Sequence, residues 1–295
     1  MFSYHSIQEL VDFANRKNQT LSELCLEEQA EQMHISPKEV LQKMEVAFDV
    51  MVEAVRIGEN PDFRSTSGIS GGDGAKMIQY ADSAETLCGD FVTRAMGRAM
   101  AVSNCNAGMG RVVAAPTAGS CGILPSVLVS LYEDRKIEKN KIIMSMVTAG
   151  ALGMVMAKMA SISGAEGGCQ AECGSASGMA AAAIVEILGG TPQQVADSMG
   201  MAIIQQMGLV CDPVAGLVEI PCIKRNSSGV MIAFCAASMA LAGVPLYIPV
   251  DECIAAMKEV GESIPVALRE TSQGGLATTP TGQRIREQVF GKKKK

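Results

Sequence analysis

The stretch Gly164-Ala-Glu-Gly-Gly-Cys-Gln-Ala-Glu-Cys-Gly-Ser-Ala-Ser-Gly178 constrains this chain most, because fifteen residues hold two cysteines, two carboxylates and five glycines. Glycine serves where the backbone takes left-handed angles or comes close to a bound group, so the stretch reads as an irregular, site-forming segment and not as mid-helix. A helix is predicted to resume at Ser175 and run to Ile187. Two more cysteines lie in comparable settings: Cys211 precedes Asp212-Pro213 and Cys222 follows Ile220-Pro221. The adjacent prolines place both at turns or broken helix ends.

The chain around these segments must supply a core almost without aromatic residues. There is no Trp, only 4% of residues are aromatic, and 20 are Met. A core of Ala, Met, Leu, Ile and Val favours close-packed helices over a β-sandwich. The fold class expected is therefore all-α, with glycine-rich loops around the site. No repeat or linker divides the sequence, so residues 1–295 are read as one catalytic domain, with 1–58 as scaffold or partner interface. In that segment a Ser or Thr is followed three residues later by Glu at Ser6/Glu9, Thr20/Glu23 and Ser36/Glu39, the signature of three successive helix starts. The third helix has Pro37 at its first position, apolar residues from Val40 to Val55 at helical spacing, and Gly58 at its end.

Charge and apolar runs narrow the partners. With a net charge of -6 and one basic cluster, Lys292 to Lys295, no nucleic-acid partner is expected. The 16 uncharged residues between Lys141 and Lys158 fall short of a membrane span and read as a core helix. The N-terminus lacks a basic region followed by an apolar one, so no secretory signal is read and a cytoplasmic location without membrane partner is expected. In a reducing compartment ten cysteines are expected to be free, metal-bound or catalytic. No Cys-x-x-Cys occurs, which removes zinc-ribbon, thioredoxin and ferredoxin patterns.

Between these landmarks the predicted order is as follows. A polar loop runs from Asn60 to Lys76 and contains Ser70-Gly71-Gly72. It is only loosely like a phosphate loop, since Ala75 and Met77 flank Lys76 where Gly and Ser or Thr would stand. Lys76 is then a solvated side chain, a pocket residue, or a Schiff-base lysine. A helix is expected from Ser83 to Val102, a turn over Asn104–Gly110, and a strand or extended lead-in over Val112–Ala115. Pro116 to Gly122, with Thr117, Gly119 and Ser120, offers hydroxyls and N–H groups ahead of a helix starting near Ile123. That is a setting for a carboxylate, or simply a capped turn. Thr191-Pro192-Gln193-Gln194 opens a helix ending just before Cys211, and Ser227–Ala242 forms another. Leu246–Val250 is read as extended, Asp251 as the cap of a helix to Val260, and Gln273–Gly282 as a tail folding back over the site.

Six cysteines (Cys25, Cys88, Cys105, Cys173, Cys235, Cys253) are read as small buried hydrophobes, whereas Cys121, Cys169, Cys211 and Cys222 adjoin Gly or Pro. Soft thiolates on irregular backbone suit an iron–sulfur cluster, although no general spacing motif covers them.

Four segments, Pro116-Thr-Ala-Gly-Ser-Cys-Gly-Ile-Leu-Pro125, Gly164-Ala-Glu-Gly-Gly-Cys-Gln-Ala-Glu-Cys-Gly174, Cys211-Asp-Pro-Val-Ala-Gly-Leu-Val-Glu-Ile-Pro-Cys222 and Arg225-Asn-Ser, together resemble the catalytic chain of bacterial iron–sulfur-dependent L-serine dehydratases. The resemblance implies a helical domain with a 4Fe-4S cluster and no pyridoxal phosphate. It implies cluster ligation by Cys169, Cys211 and Cys222, leaving one iron open to act as Lewis acid on the hydroxyl of L-serine. Thr117 and Ser120, with Lys76, are expected to act in catalysis, and Ser70, Gly71, Gly72 and Gly119 to line the substrate pocket. Some single-chain relatives carry a C-terminal cysteine and an N-terminal domain with a Ser-Ser-Ser-His-Thr segment. This chain has its last cysteine at Cys253 and begins with helices, so it is read as the alpha chain of a hetero-oligomer with a beta chain. A cluster-bearing L-cysteine desulfidase and a non-catalytic iron–sulfur protein are the alternatives.

Overall fold

The structure, a computed structural model, describes residues 4–83 and 85–291. The basic Lys292–Lys295 cluster lies outside the described residues. The chain forms α1 (Ile7–Lys17), α2 (Leu21–Met33), α3 (Pro37–Gly58), α4 (Asp73–Ser83), α5 (Asp90–Ala107), α6 (Ile123–Glu133) and α7 (Lys139–Met159). It continues through α8 (Gly164–Gly167), a π-helical turn (Gln170–Gly174), α9 (Ser175–Ile187), α10 (Pro192–Ile204), α11 (Cys222–Leu241), α12 (Val250–Ser263) and α13 (Pro280–Phe290). Among the described residues there is no strand, so the fold is all-α; one isolated bridge pairs Cys211 with Arg269.

Two helices organise the packing. Every residue of α9 except Glu186 is buried, and α6, α7, α10 and α11 pack around it. A helix apolar on all sides must be central, and small residues such as Ala176 and Ala180 to Ala183 let neighbours approach closely. Around α5 lie α3, α4, α6 and α11. Glycine is required where α3 and α4 touch α5: a Cβ at Gly58 would stand 1.8 Å from the Ala101 carbonyl oxygen, and one at Gly74 would stand 2.7 Å from the Ala101 nitrogen. Buried Arg98 of α5 reaches Asp134 at 2.6 Å and Glu133 at 3.0 Å, tying α5 to the end of α6. By length and composition α7 could cross a membrane, but 67% of its most apolar window is buried, against α2, α3 and α9 among others.

The three N-terminal starts form as their capping patterns dictate. Thr20 and Ser36 close full capping boxes with Glu23 and Glu39. At α1, Ser6 accepts from the Glu9 N–H while the Glu9 carboxylate turns back one residue further, to the His5 N–H at 2.7 Å. The apolar faces of these helices, among them Ile7, Leu10, Leu21, Leu24, Phe48 and Met51, join the chain's own core.

Several boundaries differ from expectation. Residues 170–174, expected to be irregular, form a helical turn, since only Gly168 of the stretch takes a left-handed φ (+74°) and the other glycines serve close packing. The helix expected from Ser83 begins only at Asp90, because α4 ends at Ser83 and Gly89, with φ +74°, precedes α5. α5 runs on to Ala107, through the turn expected at Asn104, and α4 begins at Asp73, placing Lys76 on its first turn and not in a loop. α10 ends at Ile204, well before Cys211, and α11 starts at Cys222 instead of Ser227. Val112–Ala115 is extended lead-in without strand pairing, and Val250 already belongs to α12.

Asp251 does not cap its own helix. Its carboxylate accepts from the Ile7 N–H at 2.7 Å and the Gln8 N–H at 3.0 Å, so it caps α1 across 244 residues of sequence. Glu186 of α9 likewise accepts from the Ser22 N–H of α2 at 3.1 Å. Both carboxylates sit where the helix dipole favours negative charge. Asp251→Ala is expected to lower the unfolding free energy by about 1 to 2 kcal/mol, the usual cost of losing a cap. Urea denaturation reads this directly, and an unchanged midpoint would mean that α1 is held by packing alone.

Candidate active site

The π-helical turn places the first thiol. Ser163 caps α8, Gly168 turns the chain with its positive φ, and Cys169 enters the turn leading into α9. Such turns insert one residue into a helix and often mark functional positions. Here it sets Cys169 and Cys173 face to face, with their sulfurs 3.4 Å apart. Buried Gln170 fixes the neighbouring segment: its backbone N–H donates to the Leu209 carbonyl at 2.9 Å, its side-chain amide donates to Met257 at 2.7 Å, and its side-chain oxygen accepts from the Gly208 N–H at 2.9 Å. That segment leads into Cys211, whose N–H and carbonyl pair with Leu268 and the Glu270 N–H at 2.8 and 2.7 Å. Cys222 is the first residue of α11.

A second layer of polar groups meets these thiols. The Thr117 hydroxyl donates to Glu172 Oε1 at 2.7 Å and lies 3.2 Å from the Ser120 hydroxyl. Space for the Glu172 carboxyl depends on two glycines. A Cβ at Gly119 would stand 2.8 Å from its Oε1, and one at Gly164 would stand 2.6 Å from its Oε2 and 3.1 Å from Cys211 Sγ. Buried Asn226 stitches the 116–122 loop to α11: its amide donates to the Gly119 and Cys222 carbonyls at 2.7 and 2.9 Å, and its oxygen accepts from the Gly122 N–H at 2.8 Å. The N-termini of α6 and α11 and the entry to α9 therefore converge, which brings the positive ends of the α6 and α11 dipoles to the locus.

All four thiols are buried. The hydrogen bond from Cys173 and the nearby Arg225 guanidinium hold the Cys169 thiol below its ordinary range against the effect of burial, and the same bond drives Cys173 up. Burial, reinforced by Cys169 and Glu172, pushes Cys222 up to about 12 and raises Cys211 further. Arg225 is anchored on buried Asp212 at 2.9 Å and on the Val210 carbonyl at 2.8 Å. The glycine-rich tail does fold back here, with the Leu276 N–H donating to the other Asp212 oxygen at 2.8 Å.

The profile of the family described as serine dehydratase alpha chain matches residues 16–277. The chain belongs to this family. It is 45% identical to the probable L-serine dehydratase alpha chain of Bacillus subtilis, over 98% of this chain and 96% of that one. It is also 45% identical to the L-serine dehydratase alpha chain of Peptoniphilus asaccharolyticus, over 96% and 97% respectively. The L-serine dehydratase of Mycobacterium bovis is 38% identical over 93% of this chain, which spans only 61% of that longer protein.

Among the family residues named from sequence, Cys169, Cys211 and Cys222 lie within electrostatic reach of one another, and Thr117, Ser120 and Gly119 line the Glu172 side of the same locus. Ser70 joins through Glu219, a buried carboxylate three residues before Cys222 that accepts from its hydroxyl. Gly71 and Gly72 pack on their own loop, where a Cβ would stand 2.1 Å from the Phe63 carbonyl oxygen or 2.7 Å from that of Pro61. Lys76 is exposed on α4, and His5 and His34 are exposed at the ends of the N-terminal helices. Cys88 and Cys235, expected to be buried, are exposed: Cys88 lies in the α4–α5 connection, and Cys235 falls outside the buried set of α11. Sequence reasoning missed Cys173, for which the i, i+4 spacing to Cys169 was the available signal. It also missed Asn226 and Glu219, which carry no signal until their partners are known.

Burial raises the Glu172 carboxyl above its ordinary 4.5, with Thr117 opposing and Glu270 adding to the shift. The native state thus keeps a proton that the unfolded chain has already lost, and this group's contribution to stability falls as pH rises from 4.5 through the raised value. Glu172→Gln is expected to stabilise the metal-free chain against urea at pH 8, with the gain shrinking toward zero at pH 4. A gain that is constant with pH would assign the effect to packing.

Proposed function

We propose that this chain is the catalytic chain of an L-serine dehydratase, which eliminates water from L-serine and returns it on hydrolysis of the resulting imine, so that the products are pyruvate and ammonia. The observation that carries this reading is the convergence of Cys169, Cys211 and Cys222, on three separate segments, with the Thr117–Glu172 pair. No three His, Cys, Asp or Glu side chains among the described residues close on a single ion. Buried thiols that raise one another's pKa need a compensating positive charge to ionise, and an iron–sulfur group supplies it when thiolates coordinate. The sulfur-only donor set fits such a group, held by Cys169, Cys211 and Cys222. When bound, it supplies Lewis-acid polarisation of the serine hydroxyl, worth several kcal/mol, so that a poor leaving group can depart.

The chain's own residues do the rest. Thr117, Ser120 and the backbone N–H groups ahead of α6 hold the substrate carboxylate. Glu172, beside Cys211 and protonated to higher pH than an ordinary glutamate, gives its proton to the departing hydroxide. Loss of the α-proton and the hydroxyl leaves aminoacrylate, which tautomerises to an imine and hydrolyses to pyruvate and ammonia. Arg225 steadies the Cys169 thiolate.

The base for the α-proton is assigned to a beta chain. Two relatives called alpha chains are covered almost end to end, whereas the longer Mycobacterium bovis protein bears no chain designation and has a further portion that this chain does not span. The exposed His5 and His34 belong to no element of the site.

After anaerobic reconstitution, Cys169→Ala, Cys211→Ala and Cys222→Ala are each expected to lose iron, visible absorbance and pyruvate formation, while Cys235→Ala retains all three. Full iron in the Cys211 variant would overturn the ligand assignment, and sulfide from L-cysteine in excess of pyruvate from L-serine would favour a desulfidase. Serine turnover by this chain alone is expected to be at least about a hundredfold below that of the chain with its beta partner, the typical worth of a positioned base. Equal rates would return the base to this chain.

A further inference from the structure

The loop between α3 and α4 is hung on one buried carboxylate. Glu219 is 4% exposed. Its Oε1 accepts from the Ser67 hydroxyl at 2.6 Å and its Oε2 from the Ser70 hydroxyl. The loop closes on itself around this pair: Ser65 Oγ lies 3.1 Å from Ser67 Oγ, the Ser65 N–H donates to the Ser70 carbonyl at 2.9 Å, and the Ile69 N–H donates to Ser67 Oγ at 3.1 Å. Glu219 itself is fixed from behind, since its carbonyl accepts from the Ile223 N–H at 3.0 Å in the first turn of α11.

The same loop is tied to the substrate side of the site. The Thr66 N–H donates to Ala107 at the end of α5 at 3.0 Å, and Phe63 packs under Gly108, where a Cβ would fall 2.2 Å from its ring. One residue before Ala107, the Asn106 amide reaches the Ala118 carbonyl of the Thr117–Ser120 turn at 3.4 Å. The end of α5 thus holds the serine loop and the Thr117 turn side by side, and Glu219 fastens that loop to the Cys211–Cys222 segment.

We propose that Glu219 is a positioning residue: through Ser67 and Ser70 it fixes the 65–72 loop over the thiol locus, so that L-serine meets a preformed wall there. The inference rests on the proposed function for the identity of the substrate, while the latch itself does not. A carboxylate with both oxygens engaged by hydroxyls from one loop pays the ordering entropy of that loop in advance of binding, which lowers the concentration of substrate required.

The test uses the iron-loaded chain with its beta partner. In Glu219→Gln and in Ser67→Ala, amide exchange over 65–72 is expected to accelerate about tenfold and KM for L-serine to rise about tenfold, as for a lost hydrogen bond to a charged group. The kcat at saturation and the iron content should stay within about twofold, because the thiols and Thr117 are untouched. Combining the variants should be no worse than the more affected parent, since both remove one latch. Unchanged exchange and KM would overturn the proposal, as would loss of iron and kcat at constant KM, which would make Glu219 a support for Cys222. If the wild-type enzyme turns over no L-serine, the proposed function fails, while the exchange measurement still decides whether the latch exists.

Discussion

The fold depends on one helix that no other part of the chain could replace. α9 is buried almost all round, and it can be because its side chains are small: an Ala, Ser and Gly surface admits α6, α7, α10 and α11 at close range without aromatic residues to fill gaps. Two consequences follow for the site. The entry to α9 is fixed as firmly as the core itself, and the helices packed around it bring the N-terminus of α6 and that of α11 to the same place. The locus is therefore built on helix ends, and Glu219, three residues before Cys222, is tied to Ser67 and Ser70 of the α3–α4 loop by side-chain hydrogen bonds.

Electrostatics at that locus work against the free thiols. Cys211 and Cys222 are raised by burial and by their neighbours, whereas the Arg225 guanidinium acts to lower Cys169. Such an arrangement is costly while the thiols must stay protonated or ionise without a counter-charge, and it favours binding of a positively charged group through sulfur. Glu172 shares the same low-dielectric surroundings, so burial disfavours its charge as well and keeps it protonated to higher pH. Half-buried Glu172 and buried Glu219 have different partners. Glu172 accepts from one hydroxyl and lies against Cys211, whereas both oxygens of Glu219 are taken by serines.

Local signals in the sequence were read correctly where the interaction spans one or two turns. Thr20/Glu23 and Ser36/Glu39 form their boxes, and α9 starts at Ser175. The errors have a common physical origin. Glycines in 164–174 suggest irregular backbone, yet Gly164 makes room for the Glu172 carboxyl and Gly174 lies within the π-helical turn. Absence of a side chain says that space is short or the backbone unusual, and only neighbours decide which. Asp251 was assigned to its own helix because capping is commonly local, whereas it caps α1.

The sequence by itself determined the class of the fold and the chemistry available to it: an aromatic-poor, alanine- and methionine-rich chain must pack helices closely, and cysteines beside Gly and Pro are thiols on turns and helix ends. Only the tertiary structure decided which groups act together. The Cys169–Cys173 pair, the Asn226 stitch, the Glu219 latch and the long-range caps at Asp251 and Glu186 depend on contacts between residues that are distant in sequence or on an inserted π turn. A hydrogen bond or a shared field depends on distances of a few ångströms between side chains, and the packing of α5, α9 and α11 sets those distances where no local pattern records them.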